Sequence, residues 1–263
     1  MNKKISLLLI LLICLVACIE NTEKKESNEL NCQGTKTFFV SRVIDGDTLE
    51  TPEGKIRLIA INTPEKKETC FEEAKEFLEK EILGREIEVK TDGKDIYERL
   101  LGNICINEES LNKKLVEQGL AHYAFGAPTE LIELQEKAMK ENKGCLWKKG
   151  TEKYVLDNCI TLSGFEFNQN SFTGEFAEFS NDCNYSIDLN GFYLKDEATH
   201  LYFFPEIELK EKSFIRVFSA AGEDTMNELY WNKGNVWNDS GDQLFLRNKK
   251  GELIVYYHYL NLK

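Results

Sequence analysis

Hydrophobic periodicity changes once along this 263-residue chain, and that change limits what it can fold into. Between about Lys36 and Lys149, short β-branched runs alternate with segments of helical spacing. Beyond about Lys153 the helical spacing disappears, and strand-length apolar runs recur between Asn, Gly and Asp turns. A chain of this length accommodates two domains of ordinary size, so the change reads as a boundary near Lys148–Lys153. In the first region strands are expected at Thr37–Val43, Thr48–Thr51, Ile56–Ile61, Glu86–Lys90 and Leu100–Ile106. Thr69 and Glu72 form a capping box for a helix that carries Phe71, Ala74, Leu78 and Ile82 on one face and stops at Gly84. Ser110–Gln118 reads as a second helix. A third opens at Pro128–Thr129, with Leu131, Leu134 and Ala138 on its buried stripe. Five strands with one helix among them and two after them predict an α+β fold: a five-stranded OB-type barrel with three helices. The second region, with strands expected at Phe176–Phe179, Gly191–Leu194, Leu201–Phe204, Phe214–Phe218, Gln243–Arg247 and Ile254–Tyr257, predicts an all-β sandwich.

The first residues carry an address rather than a fold. Lys3 and Lys4 precede an apolar run from Ile5 to Ala17, too short to span a bilayer and suited to a secretory signal. It ends in Leu15-Val16-Ala17-Cys18, which resembles a bacterial lipobox. The resemblance implies cleavage before Cys18, acylation of that cysteine, and an exported protein held on the outer face of a membrane. Residues 18–34 are polar and charged, as a flexible tether would be. Six cysteines remain beyond the leader: Cys32, Cys70, Cys105, Cys145, Cys159 and Cys183. An even number in an exported chain permits disulfides but does not choose the pairing, and Cys105 within a strand also reads as a buried thiol. No Cys/His spacing of zinc type occurs.

The formal net charge of −12 is spread unevenly. Residues 36–149 hold 19 basic against 23 acidic side chains, and residues 150–263 hold 10 against 18. That balance disfavours tight, sequence-specific DNA binding, which calls for a basic face. It leaves open an enzyme with a local cationic site.

Three segments of the first region carry such a site: Asp45-Gly46-Asp47-Thr48, Arg57 through Asn62-Thr63-Pro64-Glu65, and Asp95-Ile96-Tyr97-Glu98-Arg99. Phosphodiester cleavage needs a hard cation on phosphate oxygens, a base for the attacking water, and cationic donors for the developing charge. Arg57 and Arg99 are candidate phosphate clamps, because guanidinium groups donate bidentately and stay charged. Glu65 is the candidate base. Asp47 and Asn62 offer oxygen ligands of the kind calcium takes. Tyr97 could contact substrate. Singly, each motif is an ordinary turn or a solvated charge, and only the joint spacing argues for a site. His122, His200 and His258 are far apart in sequence and form no rival site.

Together these segments resemble the thermonuclease, or staphylococcal nuclease-like, family. The match runs from about Phe38 to Trp147 and continues through Leu115-Val116-Glu117-Gln118-Gly119-Leu120-Ala121 and Gly144-Cys145-Leu146-Trp147. The resemblance implies calcium binding by Asp47, position 62 and the Thr63 carbonyl, water activation by Glu65, and phosphate binding by Arg57 and Arg99. One departure matters: Asn62 stands where the family pattern usually has Asp. An amide oxygen still ligates calcium but brings no charge, so metal affinity should fall.

Residues from about Asn158 to Tyr257 resemble the lamin-tail domain, which implies an immunoglobulin-like sandwich. The carriers are Glu175–Phe179, Ile187–Leu194, Phe203-Phe204-Pro205 and Trp237–Leu246. That pattern speaks to fold and hardly to function. An accessory domain, or one that binds a surface partner, is the expectation; Trp231 and Trp237 read as core.

The organisation expected is a signal peptide (1–17), a tether (18–34), a thermonuclease-like domain (35–150) and a lamin-tail-like domain (151–263). The function expected is calcium-dependent hydrolysis of DNA and/or RNA with little sequence preference, by a protein anchored to a membrane through Cys18. The alternatives are an OB-type module that binds nucleic acid without cutting it, and a surface interaction protein with a relic nuclease.

Overall fold

The computed structural model describes residues 30–260 apart from 169, 172 and 173. The leader, Cys18 and most of the tether lie outside the described residues. The N-terminal region is mixed α/β around one curled sheet. Its elements are β1 (Lys36–Phe39), β2 (Arg42–Val43), β3 (Thr48–Thr51), β4 (Gly54–Leu58), β5 (Ile61–Asn62), α1 (Phe71–Ile82), β6 (Glu86–Lys94), β7 (Leu100–Ile106), β8 (Glu109–Ser110), α2 (Leu111–Glu117), β9 (His122–Tyr123) and α3 (Thr129–Lys140). The sheet order is β1-β6-β7-β4-β3-β2, with β8 added to β7, and β4 runs parallel to β7.

Five strands were expected here, and two of them are broken in the structure. The first breaks between Phe39 and Arg42, where the backbone of Val40 and Ser41 bonds to Arg85 and Glu50. The run Ile56–Ile61 breaks at Ala60, whose positive φ of 62° turns the chain out of β4 so that β5 pairs with β9 instead. Leu49, Ile56, Leu58, Ile61, Ala74, Leu78, Ile82, Val89, Ile104 and Leu115 fill the core beneath this sheet. The three expected helices are present. The capping box is not: the first helix is capped by Cys70 with left-handed backbone and no side-chain bond, and Thr69 packs elsewhere.

The remaining residues form the short helix α4 (Lys153–Leu156) and strands β10 (Ile160–Glu166), β11 (Phe176–Asn181), β12 (Ile187–Asp188), β13 (Tyr193–Lys195), β14 (Leu201–Phe203), β15 (Glu208–Leu209), β16 (Phe214–Phe218), β17 (Glu228–Tyr230), β18 (Gly241–Arg247) and β19 (Leu253–Leu260). Two four-stranded sheets, β10-β11-β16-β17 and β14-β13-β18-β19, enclose a core that includes Phe179, Phe192, Leu194, Phe204, Ile215, Trp231, Trp237 and Leu246. Strand β10 was not expected from the sequence; Ser163 and Gly164 interrupt its apolar alternation, and the register slips there.

Three disulfides settle the cysteine pairing: Cys32–Cys105, Cys70–Cys145 and Cys159–Cys183. Cys105 is therefore bridged rather than a free thiol.

The two regions share a buried seam. Phe245 of β18 packs with Trp147, Leu146, Ala138 and the Cys70–Cys145 bridge, and its ring centroid lies 4.3 Å from that of His122. Arg247, fully buried, donates from Nη1 to the carbonyls of Leu146 at 2.8 Å and Gly251 at 3.0 Å. Gln135 of α3 donates to Gln243 and Tyr256 of the second region, both at 2.9 Å, and Gln243 donates to the Tyr123 carbonyl at 2.7 Å. A seam of aromatic packing and buried polar groups, many of them hydrogen-bonded although His122 Nδ1, Trp147 Nε1 and Arg247 Nη2 meet no protein partner, resembles a domain core more than a transient contact.

Two expected outcomes follow from this packing. Phe245→Ala removes the seam's central ring and should cost about 3–5 kcal/mol. Urea unfolding followed separately by fluorescence and circular dichroism should then show both regions losing stability together. Glu175 is buried and its carboxyl is held above the ordinary value, by burial foremost, against hydrogen bonds from Val236, Ser219 and Trp237. A raised folded-state pKa contributes stability below the unfolded value that is lost as pH rises through the folded one. Glu175→Gln should therefore gain on the wild type as pH rises above the ordinary glutamate value in denaturation experiments, and parallel pH curves would contradict this.

Candidate active site

The Asp45-Gly46-Asp47 turn links β2 and β3. Asp45 and Thr48 close it: the Asp47 N–H donates to Asp45 Oδ1 at 3.1 Å, and the Ile44 N–H to the Thr48 carbonyl at 2.8 Å. Gly46 is required by space rather than by φ. A Cβ there would lie 2.8 Å from Thr63 Oγ1 and from the Cβ of Ala74 on α1. The turn can thus press against both the Thr63 segment and the first helix.

That approach buries Asp47, which is 6% exposed. Its Oδ2 accepts from the Thr63 backbone N–H and hydroxyl, both at 2.9 Å. Its Oδ1 accepts from the Thr48 hydroxyl at 3.1 Å and pairs with Arg57 Nη1 at 2.7 Å. Arg57 reaches on through Nη2 to Asn62 Oδ1 at 2.6 Å. Asp47, Arg57, Asn62 and Thr63, picked out from separate stretches of sequence, therefore form one bonded cluster.

Glu65 stands at the exposed lip of the cluster. Partial desolvation, then the charge of Asp47, raises its carboxyl above the ordinary value, while Lys195 and Arg57 pull it down. Asp45 is raised to about 6, by burial first and then by Asp47, with Glu65 adding to it. Asp45 belongs to the turn motif but had no role assigned from sequence.

Arg99 lies on the adjacent loop. Leu101, two residues on, is paired with Arg57 across β4 and β7. The Arg99 Nε bonds Asp95 Oδ2 at 2.7 Å, and Asp95 Oδ1 accepts from the backbone N–H groups of Tyr97 and Arg99. Burial pushes Asp95 up, but these bonds outweigh it and its carboxyl is lowered overall. Tyr97 is 73% exposed beside Arg99, with the guanidinium carbon 5.5 Å from its ring centre. Tyr123 is buried, whereas Phe125 is half-exposed.

An all-oxygen set in which Asp47 raises both Asp45 and Glu65 suits a hard cation, whose charge would relieve that repulsion. No sulfur or imidazole ligand from the sequence is needed.

Residues of the C-terminal region that border this site escaped the sequence reading. Lys195 Nζ pairs with Glu68 Oε2 at 2.6 Å, and the Glu197 carbonyl accepts from Asn62 Nδ2 at 3.4 Å. They lie some 130 residues from their partners, beyond the reach of any local pattern.

The Gly46 contacts give a direct test. Gly46→Ala should cost about 1–3 kcal/mol through overpacking, and it should displace Thr63 from Asp47. Amide NMR would report this as loss of protection at Thr63, and an unchanged Thr63 amide would refute the close fit.

With this geometry in view, the likeness to known proteins is consistent along the chain. Residues 55–149 match the model of the Staphylococcal nuclease homologue family, and residues 158–261 match that of the Lamin Tail Domain. A thermonuclease of Staphylococcus intermedius is 29% identical over 171 residues, covering 57% of this chain and 100% of that protein. Protein ParB of Escherichia coli is 32% identical over 125 residues, 41% of this chain and 70% of that protein. An uncharacterized endonuclease of Haemophilus influenzae is 28% identical over 153 residues, 56% of this chain and 79% of that protein. The chain belongs to the staphylococcal nuclease family, with a lamin-tail domain following its nuclease domain.

Proposed function

We propose that this protein is a calcium-dependent nuclease that hydrolyses phosphodiester bonds of DNA and/or RNA with little sequence preference. The observation that carries this reading is the single cluster of Asp47, Arg57, Asn62 and Thr63 with Glu65 at its lip. Membership of a nuclease family supports it.

In this reading the domains run 35–150 and 151–263. Arg57 and Arg99 donate to the phosphate oxygens and stabilise the charge that grows on them as the pentacoordinate state forms. Glu65 accepts the proton of the water that attacks phosphorus, and the bond from phosphorus to the leaving oxygen breaks. Asp47, Asn62 and the Thr63 carbonyl would hold calcium, which when bound would supply Lewis-acid neutralisation of the phosphate charge. Asn62 contributes no charge, and Asp45 beside Asp47 makes up the deficit. Tyr97, exposed next to Arg99, offers its ring to a base.

The expected setting is outside the cytoplasm, with the chain tethered through an acylated Cys18. Three disulfides among the described residues suit an oxidising compartment.

The test is cleavage of single-stranded DNA by the mature protein across a calcium titration. Glu65→Gln should lower kcat by about 100-fold or more. Asp45→Asn should leave saturated activity largely intact and raise the calcium needed for half-maximal rate by roughly tenfold. No cleavage at millimolar calcium by a folded sample, or cleavage that survives chelation, would refute the proposal.

A further inference from the structure

We propose that the C-terminal sandwich is a working part of the nuclease site, with Lys195 a positioning residue that holds, through Glu68, the turn carrying Glu65. This rests on the nuclease reading for its consequence and on geometry alone for its structure.

The turn opens at Glu65 and closes at Glu68, whose N–H donates to the Glu65 carbonyl at 2.8 Å. Its far end leads into α1, the Phe71 N–H donating to the Glu68 carbonyl at 3.3 Å. Glu68 points into the seam, where its carboxylate meets Lys195 at the end of β13; the two side chains are 7% and 5% exposed. The next residue is held from the same side. Thr69 packs so closely on Gly251 that a Cβ there would fall 1.7 Å from the threonine hydroxyl oxygen. Cys70 is then tied by disulfide to Cys145 in the seam itself. These contacts use the threonine that the sequence would assign to a helix cap.

The opposite flank is held from two residues further along the same strand end. The Glu197 carbonyl accepts from Asn62, the residue that carries Arg57. Glu197 is itself fixed by Asp242, which accepts its N–H at 3.0 Å, and by Phe125 and Gln243, which donate to its carboxylate. Lys195 and Glu197 thus grip both ends of the Asn62–Glu68 segment that bears Thr63 and Glu65.

A buried ion pair between two long side chains is a weak source of stability, since desolvation offsets the attraction. What it supplies is a fixed position. A carboxylate that must face one water and one phosphate depends on position to within an ångström or so.

The experiment compares Lys195→Met, Lys195→Arg, Glu68→Gln and the double variant K195M/E68Q in the mature full-length chain. Readouts are steady-state cleavage of a single-stranded oligonucleotide at saturating calcium and amide hydrogen exchange over residues 65–69. Lys195→Met should lower kcat by about 10- to 100-fold with KM within about twofold of wild type, and Lys195→Arg should recover most of the loss. The double variant should cut no more slowly than Lys195→Met, because both changes break one link. Amides 65–69 should exchange faster in both, while those of β11 and β16 keep their protection.

Unchanged kcat in a folded Lys195→Met protein, an equal loss in kcat and binding, or unchanged exchange at 65–69 would overturn the proposal. If Lys195→Met does not fold, the double variant, which buries no unpaired charge, carries the same expectations. If the wild type cuts nothing, the nuclease reading fails by itself, and the exchange measurement still decides whether Lys195 holds the turn.

Discussion

The Asp47 carboxylate is the fixed point from which the site is built. Both of its oxygens are committed: one to the backbone and hydroxyl of Thr63, the other to Thr48 and Arg57. An ionised carboxylate this deeply buried is tolerable because it is met by charge and by several donors at once. That condition dictates the surroundings. Gly46 must be small so the turn can approach Thr63, and Arg57 must leave β4 opposite Thr48, the register in which its guanidinium can reach Asp47. Ala60 must turn the chain out of that strand so that Asn62 can meet Arg57.

The same logic runs through the seam. Lys195, Glu68, Glu197, Asp242, Gln135, Gln243 and Arg247 carry charges or dipoles out of water into a contact between two domains. A purely adhesive interface would place apolar residues there, because burial of polar groups costs unless each is paired. Apolar contact is concentrated around Phe245 and Trp147, with the Arg247–Leu146 and Gln135–Tyr256 bonds beside it, and separate polar links from Lys195 and Glu197 reach Glu68 and Asn62. One interface thus has two tasks: the aromatic cluster holds the domains together, and Lys195 and Glu197 fix register next to the site. The Glu197 carboxyl, raised to about 7 by burial foremost, shows the local cost of that second task.

Much of this was legible in the sequence where the signal was local. Asp45-Gly46-Asp47, Arg57 and Asn62-Thr63-Pro64-Glu65 declared the cluster, because a short turn and two neighbouring strands fix their distances. The change of periodicity near Lys153 separated a mixed region from an all-β one. Illegible features depended on long-range partners. Thr69 and Glu72 look like a cap at any helix start, but Gly251 claims the threonine. Cys105 in a strand gives no hint of Cys32, 73 residues away. A single run, Ile56–Ile61, reads as one strand until the partner of Ile61 proves to be Tyr123 rather than a residue of the main sheet. Lys195 and Glu197 sit in an unremarkable stretch of the second domain, where a charge run reads as a solvated face.

Asn62 illustrates how these constraints combine. A carboxylate at that position would join Asp45, Asp47 and Glu65, where burial first and then repulsion from Asp47 already raise Asp45 to about 6. It would also bind Arg57 as a second full charge and compete with Asp47 for the same guanidinium. The amide avoids both: its oxygen accepts from Arg57, and its nitrogen, which no carboxylate possesses, donates to the Glu197 carbonyl. The same amide thus meets Arg57 with its oxygen and the second domain with its nitrogen, and a carboxylate could make only the first of these contacts.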